Sequence, residues 1–214
     1  MIYVGVDPSF TKTGVCYFDT ENKHIVLNAI QAPGTNKTYK DAINRSGYIA
    51  LNIIKPIDPQ KDTHVLIEEP LMSTFKASRL GILSGVVVWT MAFMPFIKKV
   101  YSITPTYISR TNKDLAKREN LNKKQASQFV ANAMLEIFKR YGYTVEVLNN
   151  KYNKDGSVKA RKISHDESEA LILVFTMLLK RKALESDLLA ELLVVNEGLV
   201  KIKAQHTLLK GEVK

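Results

Sequence analysis

Four carboxylates in this 214-residue chain stand where folding would bring them together: Asp7, Glu68, Asp166 and Glu169. Asp7 ends the apolar run Ile2-Tyr3-Val4-Gly5-Val6, and Glu68 ends the run Val65-Leu66-Ile67. Asp166 and Glu169 are three residues apart at the start of a helical segment, so they share one of its faces. Convergent carboxylates repel, and such a cluster costs stability unless cations neutralise it. Oxygen ligands of this kind suit Mg²⁺ or Mn²⁺, which keep water and take phosphate oxygens as further ligands. Two such ions roughly 3.5–4 Å apart can activate an attacking water and stabilise the leaving oxygen of a phosphodiester. Each acid also has an ordinary reading. Asp7 before Pro8 can start a turn. Glu69 is an equally acidic neighbour of Glu68. Asp166 and Glu167 can simply complement a helix dipole.

The elements that must carry these acids follow from the hydrophobic pattern. Apolar runs at 2–6, 14–18 and 25–30, joined by short turns, predict an antiparallel meander. A helix is expected over 39–54, with Ala42, Ile43, Ile49, Ala50, Ile53 and Ile54 on one face and Pro56 and Pro59 beyond its end. Residues 65–67 and 100–103 read as further strands, separated by a long helix that Ser73 or Thr74 would cap. That helix includes the uncharged stretch 80–97, which Ser84, Gly85, Thr90 and Pro95 interrupt; a core or dimer-interface helix is expected there rather than a membrane span. Another helix should run from about 121 to 140, with Phe129, Val130, Ala133, Met134 and Ile137 on one side. Ser164-His165-Asp166-Glu167 fits a capping box, placing Asp166 in the first turn of the next helix and Glu169 one turn on. Residues 149–161 read as a polar loop and 184–209 as an amphipathic tail. Strands in meander order followed by alternating strands and helices give an α/β domain: a central mixed five-stranded sheet flanked by helices.

The charge balance points to a polyanion. Lys and Arg number 31 against 21 Asp and Glu, a formal net charge of +10. Between Arg110 and Lys162, thirteen Lys or Arg stand against five Asp or Glu, so this segment holds +8 of the total. Such clustering is the footprint of phosphate contacts, which position nucleic acid without reading its sequence. The one cysteine, Cys16, excludes an internal disulfide and a cysteine-based zinc site and fits a reducing compartment. It lies in an apolar strand and is expected in the core. No secretory signal precedes the first strand, so a cytoplasmic location is expected.

Three motifs resemble those of the RuvC-type Holliday junction resolvases. Gly5-Val6-Asp7-Pro8-Ser9 with Thr13-Gly14 is similar to the first. Ile67-Glu68-Glu69-Pro70-Leu71-Met72, leading to Leu80-Gly81 and Gly85, is similar to the second, and Asp166-Glu167-Ser168-Glu169-Ala170-Leu171 to the last. Order and spacing agree over residues 2–179. The resemblance implies an RNase H-like nuclease domain over 1–180; the tail beyond it, without a clear counterpart in the bacterial enzymes, is expected as a helical extension over 181–214. The resemblance also implies a homodimer that cuts four-way DNA junctions, with Asp7, Glu68, Asp166 and Glu169 as catalytic metal ligands for Mg²⁺ or Mn²⁺. It selects Glu68 over Glu69. It assigns Arg110, Lys113 and Lys124 to DNA contact, and the charge cluster adds Lys117 and Lys123. The last acid is Glu where the family more often has Asp, and the loop and tail look most like divergent bacteriophage members. Other readings are a flap or RNA–DNA hybrid nuclease, a non-catalytic DNA-binding protein, and an actin-like ATPase, for which a second glycine-rich phosphate loop is missing.

Overall fold

Chain order alternates as the pattern requires. β1 (Ile2–Asp7), β2 (Thr13–Asp19) and β3 (His24–Ile30) form the antiparallel meander, with Asp7 opposite Gly14 and Ile2 opposite Asp19. Helix α1 (Tyr39–Ile54) is followed by β4 (Thr63–Glu68), α2 (Phe75–Ala92) and β5 (Ile97–Ile103). Then come α3 (Lys123–Arg140), β6 (Thr144–Val147), the short strands β7 (Lys151–Tyr152) and β8 (Val158–Lys159), α4 (His165–Arg181) and α5 (Ser186–Val195). This computed structural model describes residues 1–9, 11–34, 38–69, 75–103, 117, 120–148, 151–152, 158–159 and 162–195.

The main sheet has strand order β5-β4-β1-β2-β3-β6, with β4 parallel to β1, β5 parallel to β4, and β6 parallel to β3. It is therefore the expected mixed α/β sheet with a sixth strand. The added β6 arises from how α3 ends. Gly142 takes a left-handed φ of 84°, and the amides of Gly142 and Tyr143 bond back to the Lys139 and Phe138 carbonyls. That turn delivers Thr144 to the edge of β3, where its amide donates to the Lys23 carbonyl. Residues 149–161, expected as a loop, contain the paired strands β7 and β8.

Alternation along the strands splits the core in two. Ile2, Val4, Val6, Val15, Tyr17, Val65 and Ile67 pack with Ile49, Ile53, Leu83 and Val87 of α1 and α2. Tyr3, Cys16, Phe18 and Leu66 face the other way, onto Met134 and Phe138 of α3 and Leu171, Val174 and Phe175 of α4. Cys16 is fully buried, as expected. Leu188 and Leu192 of α5 join this second layer. Phe129 corrects the sequence reading: it is 52% exposed, because the inner face of α3 runs through Ala126, Val130, Met134 and Phe138. Among the described residues no helix is long and apolar enough to cross a membrane.

Candidate metal centre

Asp7 and Glu68 are the last residues of adjacent parallel strands. Val6 pairs with Ile67, so the two acids come next in register. Parity puts both on the α4 side, since Asp7 follows Tyr3 and Gly5 at intervals of two and Glu68 follows Leu66. Helix α4 begins as its capping box dictates: the Ser164 hydroxyl accepts from the Glu167 amide at 3.3 Å, and the Ser164 amide donates to Glu167 Oε2 at 2.7 Å. Asp166 thus lies in the first turn, with Glu169 on the same face.

What lets α4 come down onto the strand ends is the absence of two side chains. A Cβ at Gly14, directly across from Asp7, would lie 2.0 Å from the Asp166 carbonyl oxygen. A Cβ at Gly5 would lie 2.2 Å from the Ala170 carbonyl oxygen. Glycine is required at both positions by close backbone approach.

The outcome is a three-acid cluster. One carboxylate oxygen each from Asp7, Glu68 and Glu169 lies within 4.8 Å of the others. Asp166, expected as the fourth member, remains outside this group, although it is near enough for its charge to act on Asp7. Burial, then the charges of Glu68, Glu169 and Asp166, hold the Asp7 carboxyl well above the usual carboxylate range. Burial and Glu169 push Glu68 up to about 7. Burial raises Glu169 and Asp166 as well, against the opposing pull of His165. A hydrogen bond between the Asp7 and Glu68 carboxyls raises Asp7 further and pulls Glu68 partly back. Glu69 does not join them: it is exposed and accepts a 2.5 Å hydrogen bond from Ser102.

These properties fit a hard divalent cation. The donors are all oxygen, they converge, and their ionised form is held at an energetic disadvantage that a dication would remove.

Around the acids lies a basic rim. Lys123 and Lys124 are exposed in the first turn of α3; Lys123 acts electrostatically on Glu68 and Glu169, and Lys124 on Asp166. Lys117 is exposed. Arg110 and Lys113 lie outside the described residues. Three further groups beside the acids are ones that the sequence pattern either does not single out or leaves with no firm role. Lys12, in the turn between β1 and β2, acts on Asp166. Ser127 donates to Glu169 Oε1 at 3.3 Å, and His165 Nε2 lies 3.4 Å from Glu169 Oε2. The signal the sequence offers for Ser127 is its place one residue after Ala126 and three before Val130, among the small and apolar residues of the inner side of α3.

Neither the family models nor the curated proteins yield a match. Solved structures do. The chain is similar to RuvC of T. thermophilus in complex with a Holliday junction substrate, at 15% identity over 86% of this chain and 96% of that one, with a TM-score of 0.49. A second T. thermophilus RuvC structure gives 19% identity over 86% and 97%, with a TM-score of 0.48. The yeast mitochondrial Holliday junction resolvase gives 11% over 94% and 83%, also at 0.48.

Proposed function

We propose that this protein is a divalent-metal-dependent endonuclease of RNase H-like fold that cleaves branched DNA, with four-way junctions as its preferred substrate. The observation that carries the reading is the convergence of Asp7, Glu68 and Glu169, oxygens within 4.8 Å, at the ends of two parallel strands. The three acids hold one Mg²⁺ or Mn²⁺ in this reading, and Asp166, one turn earlier on α4, serves a second. A bound cation supplies Lewis-acid activation of water and neutralises charge on the scissile phosphate. The chain's own residues do the rest. Lys12, Lys123 and Lys124 flank the acids and hold the phosphodiester backbone, and Arg110, Lys113 and Lys117 extend that contact along the strand.

Paired nicking of a four-way junction calls for two copies. Trp89 on α2 and Phe93 just past its end meet edge to face with ring centroids 4.8 Å apart and are 66% and 64% exposed; they support a homodimer through that end of the helix. Residues 181–214 extend the 1–180 nuclease domain in this reading, with 196–214 outside the described residues; the location is cytoplasmic, that of the host for a bacteriophage-type resolvase. The test is side-by-side cleavage of a four-way junction, a flap and an RNA–DNA hybrid with Mn²⁺. Paired symmetric nicks confined to the junction support the reading. Preferential cutting of the hybrid or flap replaces the substrate, and binding without cutting of any of the three leaves a DNA-binding module.

A further inference from the structure

Glu169 reaches the cluster from α4 at the end of a two-methylene side chain, so its carboxylate needs holding if it is to remain there. Two side chains reach it. Ser127 of α3, fully buried, donates its hydroxyl to Glu169 Oε1 at 3.3 Å. His165, one turn earlier on α4, places Nε2 3.4 Å from Glu169 Oε2. The two come from different helices and meet different oxygens, so together they restrict rotation of the carboxylate about its last torsion. Each carboxylate oxygen has two acceptor positions, so an oxygen bonded in this way still has a lone pair for a cation. Glu169 itself is largely covered, with 16% of its side chain exposed.

We propose that Ser127 and His165 are positioning residues that clamp Glu169 into the acid cluster and thereby set its affinity for a divalent cation. This rests on the metal-site reading above. Hydrogen bonds from the surroundings to ligating carboxylates orient them, and removing such a partner weakens metal binding about 10–100-fold. The serine sits on the helix whose first turn carries Lys123 and Lys124, and its single hydroxyl proton is shared between Glu169 Oε1 and the Lys123 carbonyl, each at 3.3 Å. The clamp therefore ties the cluster to the helix end that meets the DNA backbone.

The experiment is a Mn²⁺ titration of the full chain, read by the electron paramagnetic resonance of free Mn²⁺, without DNA. Ser127→Ala and His165→Phe should each weaken binding by about tenfold, and Ser127→Thr, which keeps the hydroxyl, should restore most of the loss. In a Glu169→Gln background neither substitution should weaken binding further. Thermal unfolding without metal separates this from damage to the fold. A variant that loses stability but binds Mn²⁺ as wild type does, or that loses affinity equally with and without Glu169, overturns the clamp. Wild type that binds no Mn²⁺ overturns the metal site and the clamp with it. Wild-type binding unchanged by both substitutions leaves the metal site standing and removes the clamp alone.

Discussion

At one end of the central sheet Asp7 and Glu68 lie together with Glu169, all raised above the usual carboxylate range by burial and mutual repulsion. At the other end, Asp19 sits across from Ile2 and is bonded by Lys61 Nζ at 2.6 Å and by the amides of Glu21 and Asn22. Burial pulls Asp19 up, but these donors outweigh it and hold its carboxyl low. The sheet thus ends on one side in acids that repel one another and on the other in an acid fully partnered. Stability alone accounts for the second. The first is an arrangement that a bound dication would relieve, and raised carboxylates grouped in this way cluster at functional sites.

Removing an acid from each end of the sheet should separate the two sites most. Glu68→Gln should cut cleavage by on the order of 10³-fold, the equivalent of several kcal/mol of lost charge stabilisation at tenfold per ~1.4 kcal/mol. Asp19→Asn should leave cleavage near wild type and lower the thermal midpoint. Equal loss of activity from both substitutions would erase the distinction between the two ends.

Next in size is the packing that creates the cluster. Gly14→Ala forces a methyl within 2.0 Å of the Asp166 carbonyl, so it should destabilise by at least ~2–3 kcal/mol in denaturant unfolding, at or beyond the usual cost of overpacking. Gly47→Ala, within α1 and with no atom closer than 4 Å, should instead stabilise by roughly 0.5–1 kcal/mol. Matching effects at the two glycines would contradict the close approach of α4.

The pH dependence sharpens the comparison further. Glu68 rises from an ordinary 4.5 to about 7 in the folded chain. Its contribution to stability is complete below the unfolded value and is lost as pH rises through about 7. With metal chelated, wild type should lose stability from about pH 5 to about pH 8, and Glu68→Gln should lose less. Asp19 has the opposite sign: its contribution is present above the ordinary carboxylate value and lost as pH falls. Mn²⁺ should flatten the alkaline loss, because it offsets the repulsion that causes it.

Much of the site is legible in the sequence, and for a definable reason. Asp7, Glu68 and the Ser164–Glu167 capping box are local signals: an acid closing an apolar run, and a side-chain pair fixing where a helix starts. The two-fold alternation that turns Asp7 and Glu68 toward α4 is not legible, because both strands are buried on both faces and read as unbroken apolar runs. Nor is β6, four residues of Thr-Val-Glu-Val at a sheet edge, too short and polar to stand out. Phe129 misleads for a related reason: a large apolar residue at helical spacing reads as core, yet it faces outward. Asp166 and Glu169 share a helix face, and still only Glu169 reaches the oxygens of Asp7 and Glu68.

The smallest expected effect lies on the basic rim. Lys124→Ala should weaken junction binding and reduce the log–log salt slope by about 0.9, one phosphate contact's worth. An unchanged slope would remove Lys124 from the interface and leave the acid cluster untouched.

The most direct test of the central claim is cleavage of a synthetic four-way DNA junction by wild type and Asp7→Asn, each with Mn²⁺ and with chelator. Paired nicks are expected from wild type with Mn²⁺ alone, and the Asp7→Asn variant should bind the junction without cutting it. Cutting that survives chelation, or that survives the loss of Asp7, would contradict a metal-dependent nuclease built on this acid cluster.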